Sequence, residues 1–227
     1  MNKRIEKMFS IENIDTMRVY VLQNMRHVSR KEINNTMILC RFQHMERVSM
    51  ICLQLLQLYL SEYERCGKKY RKGKTCLKKE DFPQLSNIKK RGLENSVVFM
   101  GIIHDMYKFD EYNTEHGICA SQFFEQYCEK NHIPMKGMIK DIRDAIHDHS
   151  LKNKNQENIF FKILCDADVL SKYSKESIVE KKYKDGQSPR DTLKSIDSYK
   201  YDYKTPFFRY LRKMKRKKFL KELKRMK

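Results

Sequence analysis

Through most of the chain, apolar residues recur at alternating three- and four-residue steps, the period of an α-helix with one buried face. Residues 34 to 65 carry Met37, Cys40, His44, Val48, Ile51, Leu55 and Leu58 at that spacing, which predicts one long helix with a histidine inside its apolar stripe. Ser96 to Lys108, SVVFMGIIHDMYK, is apolar almost all round until His104 and Asp105, as expected of a helix through the centre of a domain. Thr114 is placed to cap a helix running to about Lys130, with His116, Cys119, Ala120, Phe123 and Tyr127 on one face. Pro134 suits the first turn of another helix, whose stripe is Met135, Met138, Ile142, Ala145 and Ile146, with His149 at or just past its end. Residues 157 to 173, ENIFFKILCDADVLSKY, read as a further buried helix with Phe161, Leu164 and Asp168 on one face.

Between and beyond these elements the pattern weakens. Residues 65 to 91 are basic and unpatterned, and read as a surface insertion loop or lid. From about Lys175 polar residues dominate, and Gly186 and Pro189 interrupt any helix, so this stretch reads as a mobile connector. The tail regains a stripe, with Phe207, Leu211, Met214, Phe219 and Leu223 roughly on one side of a basic amphipathic helix. The expected organisation is an N-terminal helical segment over 1–33, a main helical domain over 34–174 with the insertion at 65–91, and connector plus basic helix over 175–227. Only 7 Gly and 4 Pro punctuate 227 residues, too few for an all-β sandwich, so the expected class is an all-α bundle.

Charge and cysteine usage narrow the setting. The formal charge of +19 is confined to residues 65–91 and 209–227, which contribute +9 and +10 and leave the remainder neutral. Such segments suit nucleic acid or an anionic surface, although lysine-rich stretches also serve solubility alone. Seven cysteines, an odd number without zinc-knuckle spacing, fit a reducing compartment. No stretch reaches the roughly 18 apolar residues of a membrane span, and no signal peptide is evident, so a cytoplasmic protein is expected.

Five helical segments each present a His, an Asp or the adjacent pair on an otherwise apolar face. A buried carboxylate is costly unless it is paired or binds metal, and a histidine beside it in a dry core also needs a partner. His44 in HMERV, the doublet in GIIHDMYK, His116 in EHGICA, His149 in AIHDHS and Asp168 in DADVL together resemble the HD-domain superfamily of metal-dependent phosphohydrolases. The similarity is closest to the bacterial HD-domain diadenosine tetraphosphate hydrolases, which share the short His-Gly helix and the Ile-x-x-His-Ser/Thr pattern. HD nucleases of CRISPR systems have a similar ligand order, whereas the Gly-Tyr-Pro signature of cyclic-dinucleotide HD phosphodiesterases is absent.

The resemblance implies that His44, His104, Asp105 and Asp168 bind one divalent ion, that His116 and His149 bind a second, and that Asp105 bridges the two. His147 and Asp166 compete with His149 and Asp168 for those places. The isoleucine three residues earlier favours His149, and the acid that follows Ala in the family favours Asp168. Nitrogen and oxygen ligands without thiolate suit Mn, Fe, Ni or Mg. Lys108, one turn beyond His104, and Arg47, three residues after His44, are candidates to reach a phosphate oxygen, with Asp105 at the centre of catalysis. The implied activity is hydrolysis of a nucleotide or dinucleotide phosphate. The competing expectation is a nuclease or cyclic-oligonucleotide phosphodiesterase that uses the basic segments to follow a phosphate backbone.

Overall fold

The computed structural model describes residues 6–28, 35–68, 90–108, 115–150, 158–198 and 204–225, with side chains omitted over 63–68. The described residues form helices and turns with no strand among them, as the spacing of apolar positions predicts. In chain order the helices are α1 (Ile11–Val28), α2 (Asn35–Lys68), α3 (Lys90–Ile103), α4 (His116–Lys130), α5 (Met138–Asp148), α6 (Ile159–Ser171), α7 (Lys175–Asp185), α8 (Pro189–Ser198) and α9 (Phe208–Arg225).

At the centre, α2 packs most extensively on α3 and next on α6. The α2 stripe is accordingly wider than a single face. Beside Cys40, His44, Val48, Ile51 and Leu55, a second row of Ile38, Met45, Cys52 and Tyr59 is buried at seven-residue steps. Helix α3 is buried on nearly every side from Ser96 to Ile103. Its Gly101 permits this, because a Cβ there would sit 2.4 Å from the Ser49 Cα, backbone against side chain. Helices α4 and α5 close one side of the core, and α1 covers α3 with Ile14, Met17, Val21 and Met25, one residue per turn.

Several boundaries differ from expectation for local reasons. The central helix stops at Ile103 and not at Lys108; His104 to Tyr107 form a turn closed by Met106 N–H to the Ile103 carbonyl and Lys108 N–H to the Asp105 carbonyl. Pro134 precedes its helix, which starts at Met138 after Gly137, whose φ of 55° lies in the left-handed region. On α4 the buried row is Ala120, Phe124 and Cys128, while Phe123 and Tyr127 pack at the edge of the core. The expected cap at Thr114 lies outside the described residues, as does most of the basic insertion. Its two ends, up to Lys68 and from Lys90, belong to α2 and α3.

The largest correction concerns the connector. Residues 175–198 form two short helices, and Gly186 and Pro189 interrupt them as expected, standing at the end of one and the start of the next. Gly186, at φ 62°, ends α7 with its N–H on the Lys181 and Lys182 carbonyls, while Pro189 opens α8 where no N–H is needed. Ser174 caps α7 by accepting from Ser177 N–H, and Ser188 accepts from Asp191 N–H at the start of α8.

Helix α9 is part of the same body. Phe208 and Leu211 enter the main core, Phe207 meets Tyr59 edge to face at 5.1 Å, and Phe219 forms a smaller cluster with Tyr173 and Ile178. The inward row is therefore Phe208, Leu211 and Phe219; Met214, expected in the stripe, is 50% exposed. The segment entering α9 is held by Asp166, fully buried, which accepts from the N–H groups of Lys204 and Thr205 at 2.9 and 2.6 Å.

Candidate metal centre

Four helices and one turn bring the sequence-selected histidines and acids to a common point. His44 comes from the middle of α2, Asp168 from α6, and His104 and Asp105 from the turn ending α3. His116 is the first residue of α4, and His149 is the C-cap of α5. One ligand atom from each of His44, His104, Asp105 and Asp168 lies within 4.8 Å of the others, and the same holds for Asp105, His116 and His149. Asp105 belongs to both groups, so the cluster has two lobes joined by one carboxylate.

Glycines set the approach of these elements. With Gly101 against Ser49, α3 lies close enough to α2 to place His104 beside His44, their ring centroids 5.7 Å apart. With Gly117, α4 meets the end of α5, since a Cβ there would lie 2.7 Å from the His147 carbonyl oxygen. His116 and His149 thereby come within 3.2 Å, Nε2 to Nε2.

Hydrogen bonds on the outer side fix the tautomers. His104 Nδ1 donates to the Gly101 carbonyl at 2.8 Å, and His149 Nδ1 donates to the Ile146 carbonyl at 2.6 Å. Ser171 gives its hydroxyl proton to the Asp168 carbonyl at 2.7 Å, leaving its oxygen to accept from His44 Nδ1 at 3.0 Å. In each neutral ring Nε2 is then a lone pair turned inward, the arrangement in which an imidazole ligates a metal.

Acceptors consequently face acceptors. His44 Nε2 is 3.0 Å from Asp168 Oδ1 and 3.5 Å from Asp105 Oδ2, and His116 and His149 Nε2 are each 3.2 Å from Asp105 Oδ1. His44 Nε2, His104 Nε2 and Asp168 Oδ1 are buried without a hydrogen-bond partner. Such an arrangement is unfavourable in a dry core unless cations lie between the groups. The cluster could therefore hold a metal ion, and its donor set of imidazole nitrogen and carboxylate oxygen fits one.

The electrostatics agree with ionised acids and a neutral His104 ring. Burial pushes the His104 imidazole down to about 3, despite the adjacent Asp105. Burial by itself would favour protonated acids, but the Lys108 ammonium holds the Asp105 carboxyl well below the usual range. Lys172 and Lys108 overcome burial in the same way at Asp168.

Lys108 lies at the cluster with Nζ 2.9 Å from Asp105 Oδ2, because the turn after Ile103 replaces the helical step expected there. Arg47 is placed differently from the sequence reading. Its guanidinium pairs with Glu176 at 2.7 Å and borders a separate cavity. The arginine on the cluster side of α2 is Arg41, with Nη1 3.6 Å from Asp105 Oδ2 and Nη2 2.8 Å from Glu180. Its signal was available in the sequence, since it precedes His44 by three residues on one helix face. Glu180 had none, lying in a stretch read as connector. His147 turns to Asp148 at 2.6 Å and Asp166 to the tail backbone, so neither takes the place of His149 or Asp168 in the cluster.

Comparisons with family models, curated proteins and solved structures give no match.

Proposed function

We propose that the chain is a metal-dependent phosphohydrolase that cleaves a phosphoester or phosphoanhydride bond in a nucleotide or dinucleotide. The observation that carries this reading is the sharing of Asp105 between two buried lobes, three of whose four histidines turn a lone pair inward. His44, His104, Asp105 and Asp168 would hold one divalent ion, and Asp105, His116 and His149 a second, with Mn, Fe, Ni and Mg suited to such donors. Ions so placed lower the pKa of a coordinated water and offset charge on the attacking and leaving oxygens of a phosphoester.

The chain's own residues define the approach. Asp105 is fully buried whereas the Asp168 side chain is 20% exposed, so access is from the Asp168 side, beside Lys108 and Lys172. Lys108, charged because Asp105 outweighs its burial, and Arg41, braced by Glu180, present cations where phosphate oxygens would arrive. Ser171 and the Gly101 and Ile146 carbonyls orient three of the rings, so little reorganisation is needed when substrate enters.

A nuclease reading draws on the basic tail, but Arg212 and Arg216 of that tail are engaged by Tyr173 and Asp197. This favours a compact substrate. The test is purified protein loaded separately with Mn²⁺, Fe²⁺, Ni²⁺ and Mg²⁺ and assayed against dinucleoside polyphosphates, nucleotides, cyclic oligonucleotides and single-stranded nucleic acid. Hydrolysis of a dinucleotide or nucleotide that is lost with Asp105→Ala supports the proposal. Stoichiometric metal without hydrolysis of any of them refutes it, and preference for polymer favours the nuclease.

A further inference from the structure

A second charged site lies apart from the metal ligands. Helix α2, the α6–α7 junction and α9 enclose a cavity of about 550 Å³. Its α2 wall is the row Arg47, Met50 and Gln54, and α9 contributes Lys215, Lys218 and Glu222. None of the metal-cluster residues lines it.

Lys215 is the residue that needs explanation. On α9 it falls four residues after Leu211 and four before Phe219, in the inward row, where helical periodicity calls for an apolar side chain. The next-door Met214 points to solvent instead, 50% exposed. Among the described residues no acid forms an ion pair with Lys215. The charges that act on it are Lys218 and Arg47, and burial together with these two cations lowers its pKa. Arg47 sits opposite, with Nη1 on Glu176 but with Nε buried and without a partner.

The acids nearby do not neutralise this group. Glu176 is engaged by Arg47, and Glu46, which also lines the cavity, accepts from Arg18 at 2.8 Å. Glu222 is the remaining carboxylate of the lining, set against Lys175, Lys215 and Lys218. The first turn of α7, the positive end of that helix, also borders the space. Cations held together in a partly desolvated pocket repel one another unless an anion joins them.

We infer that the cavity between α2, α7 and α9 is a binding site for a small phosphate-bearing anion, held by Lys215, Lys218 and the Nε face of Arg47. Its volume admits more than a single phosphate group, so a di- or triphosphate is the fitting class. Such an anion would join α9 to α2 and the start of α7, fastening the C-terminal helix to the core.

The experiment uses full-length protein stripped of metal, so its outcome is independent of any hydrolytic activity. Pyrophosphate is titrated and read by calorimetry and by melting temperature, with a single-stranded oligonucleotide as a parallel probe. Saturable binding of one pyrophosphate with a raised melting temperature is expected. Lys215→Met should weaken that binding about tenfold or more, as the loss of a charge-assisted contact does. Lys218→Met, an exposed position with little bearing on folding, should also weaken it. Lys217→Met removes the same charge outside the cavity lining and should leave affinity unchanged. Equal weakening by Lys217→Met overturns the site in favour of diffuse attraction to a basic helix. Unchanged affinity in both Lys215→Met and Lys218→Met, or binding of the oligonucleotide without pyrophosphate, overturns it as well.

Discussion

The metal cluster and the α9 cavity both border α2 but share no residue, and their chemical imbalances are opposite. At the cluster, histidine lone pairs and carboxylate oxygens converge and the deficit is of positive charge. At the cavity the cations Arg47, Lys175, Lys215 and Lys218 outnumber the carboxylates of Glu46, Glu176 and Glu222, two of which are already engaged by arginines, and the deficit is of negative charge. The two arginines of α2 make the contrast concrete: each is tied to an acid of α7, Arg41 to Glu180 and Arg47 to Glu176. Arg41 then extends to Asp105, while Arg47 leaves Nε unpaired at the cavity. Burial magnifies both imbalances because each unmatched group has lost its water. One helix thus presents a cation site and an anion site without mixing them.

The sharpest way to break the comparison is Asp105→Ala. Removing the carboxylate common to both lobes is expected to eliminate metal binding and essentially all turnover while pyrophosphate binding at the cavity persists. Metal analysis and calorimetry on one preparation check this, and full metal occupancy in the folded variant would contradict the bridging role.

The converse is Leu211→Ala, which opens the α9 contact with the core. At 2% exposure it is expected to cost about 2–5 kcal/mol of stability, as buried Leu-to-Ala changes do, while metal stoichiometry below the transition stays unchanged. Denaturant unfolding measures the cost. A change within 0.5 kcal/mol, marked as about the noise of surface substitutions, would mean that α9 is not fastened there.

Asp166→Asn separates two acids that sequence alone presents as equivalent. Loss of charge-assisted bonds to Lys204 and Thr205 N–H should destabilise by about 1–3 kcal/mol and leave metal content intact. Asp168→Asn should deplete metal instead. Reversed phenotypes would exchange their roles.

A finer cut within the cluster is Gly117→Ala. The added Cβ collides with the His147 carbonyl and should separate His116 from His149. The expected result is a metal content falling from two ions to one, at a stability cost of about 1–3 kcal/mol from overpacking. Retention of both ions by elemental analysis would show that α4 can shift without losing its ligand.

Acidification tests the cluster without a substitution. His104 is depressed from 6.5 to about 3, so the unfolded chain binds a proton that the folded chain refuses. That contribution is fully present above pH 6.5 and is lost as pH falls from 6.5 toward 3; Asp105 and Asp168, also depressed, add loss in the same direction at lower pH. Metal-free protein should therefore melt progressively lower on acidification below 6.5. Lys215 acts at the other end of the scale: its lowered pKa makes the folded protein gain stability as pH rises toward 10.5, a gain that Lys215→Met removes. A flat acid limb would argue against neutral, buried His104.

Much of this was legible in the residues. Helical periodicity alone established the all-α class, and six polar side chains on apolar faces marked every residue of the cluster, because burying them without a partner is costly wherever the chain folds. Periodicity could not show that α3 ends at Ile103, since His104 to Met106 are as buried as the helix before them. Nor could it distinguish Asp166 from Asp168. Both lie on the same buried helix, and their roles depend on what packs around it: His44 on one side, the backbone entering α9 on the other.

The basic tail shows where local pattern gives out. Its charge and stripe were visible, but whether it stood free or packed was decided by Tyr59, Tyr173 and Ile178, which belong to α2, the α6–α7 junction and α7. Likewise the stretch around Gly186 and Pro189 read as a connector until both flanking segments were seen to have helices to pack against. A sequence records which side chains must be hidden or paired; partners distant along the chain are chosen only when the helices meet, because a contact's energy depends on both surfaces at once.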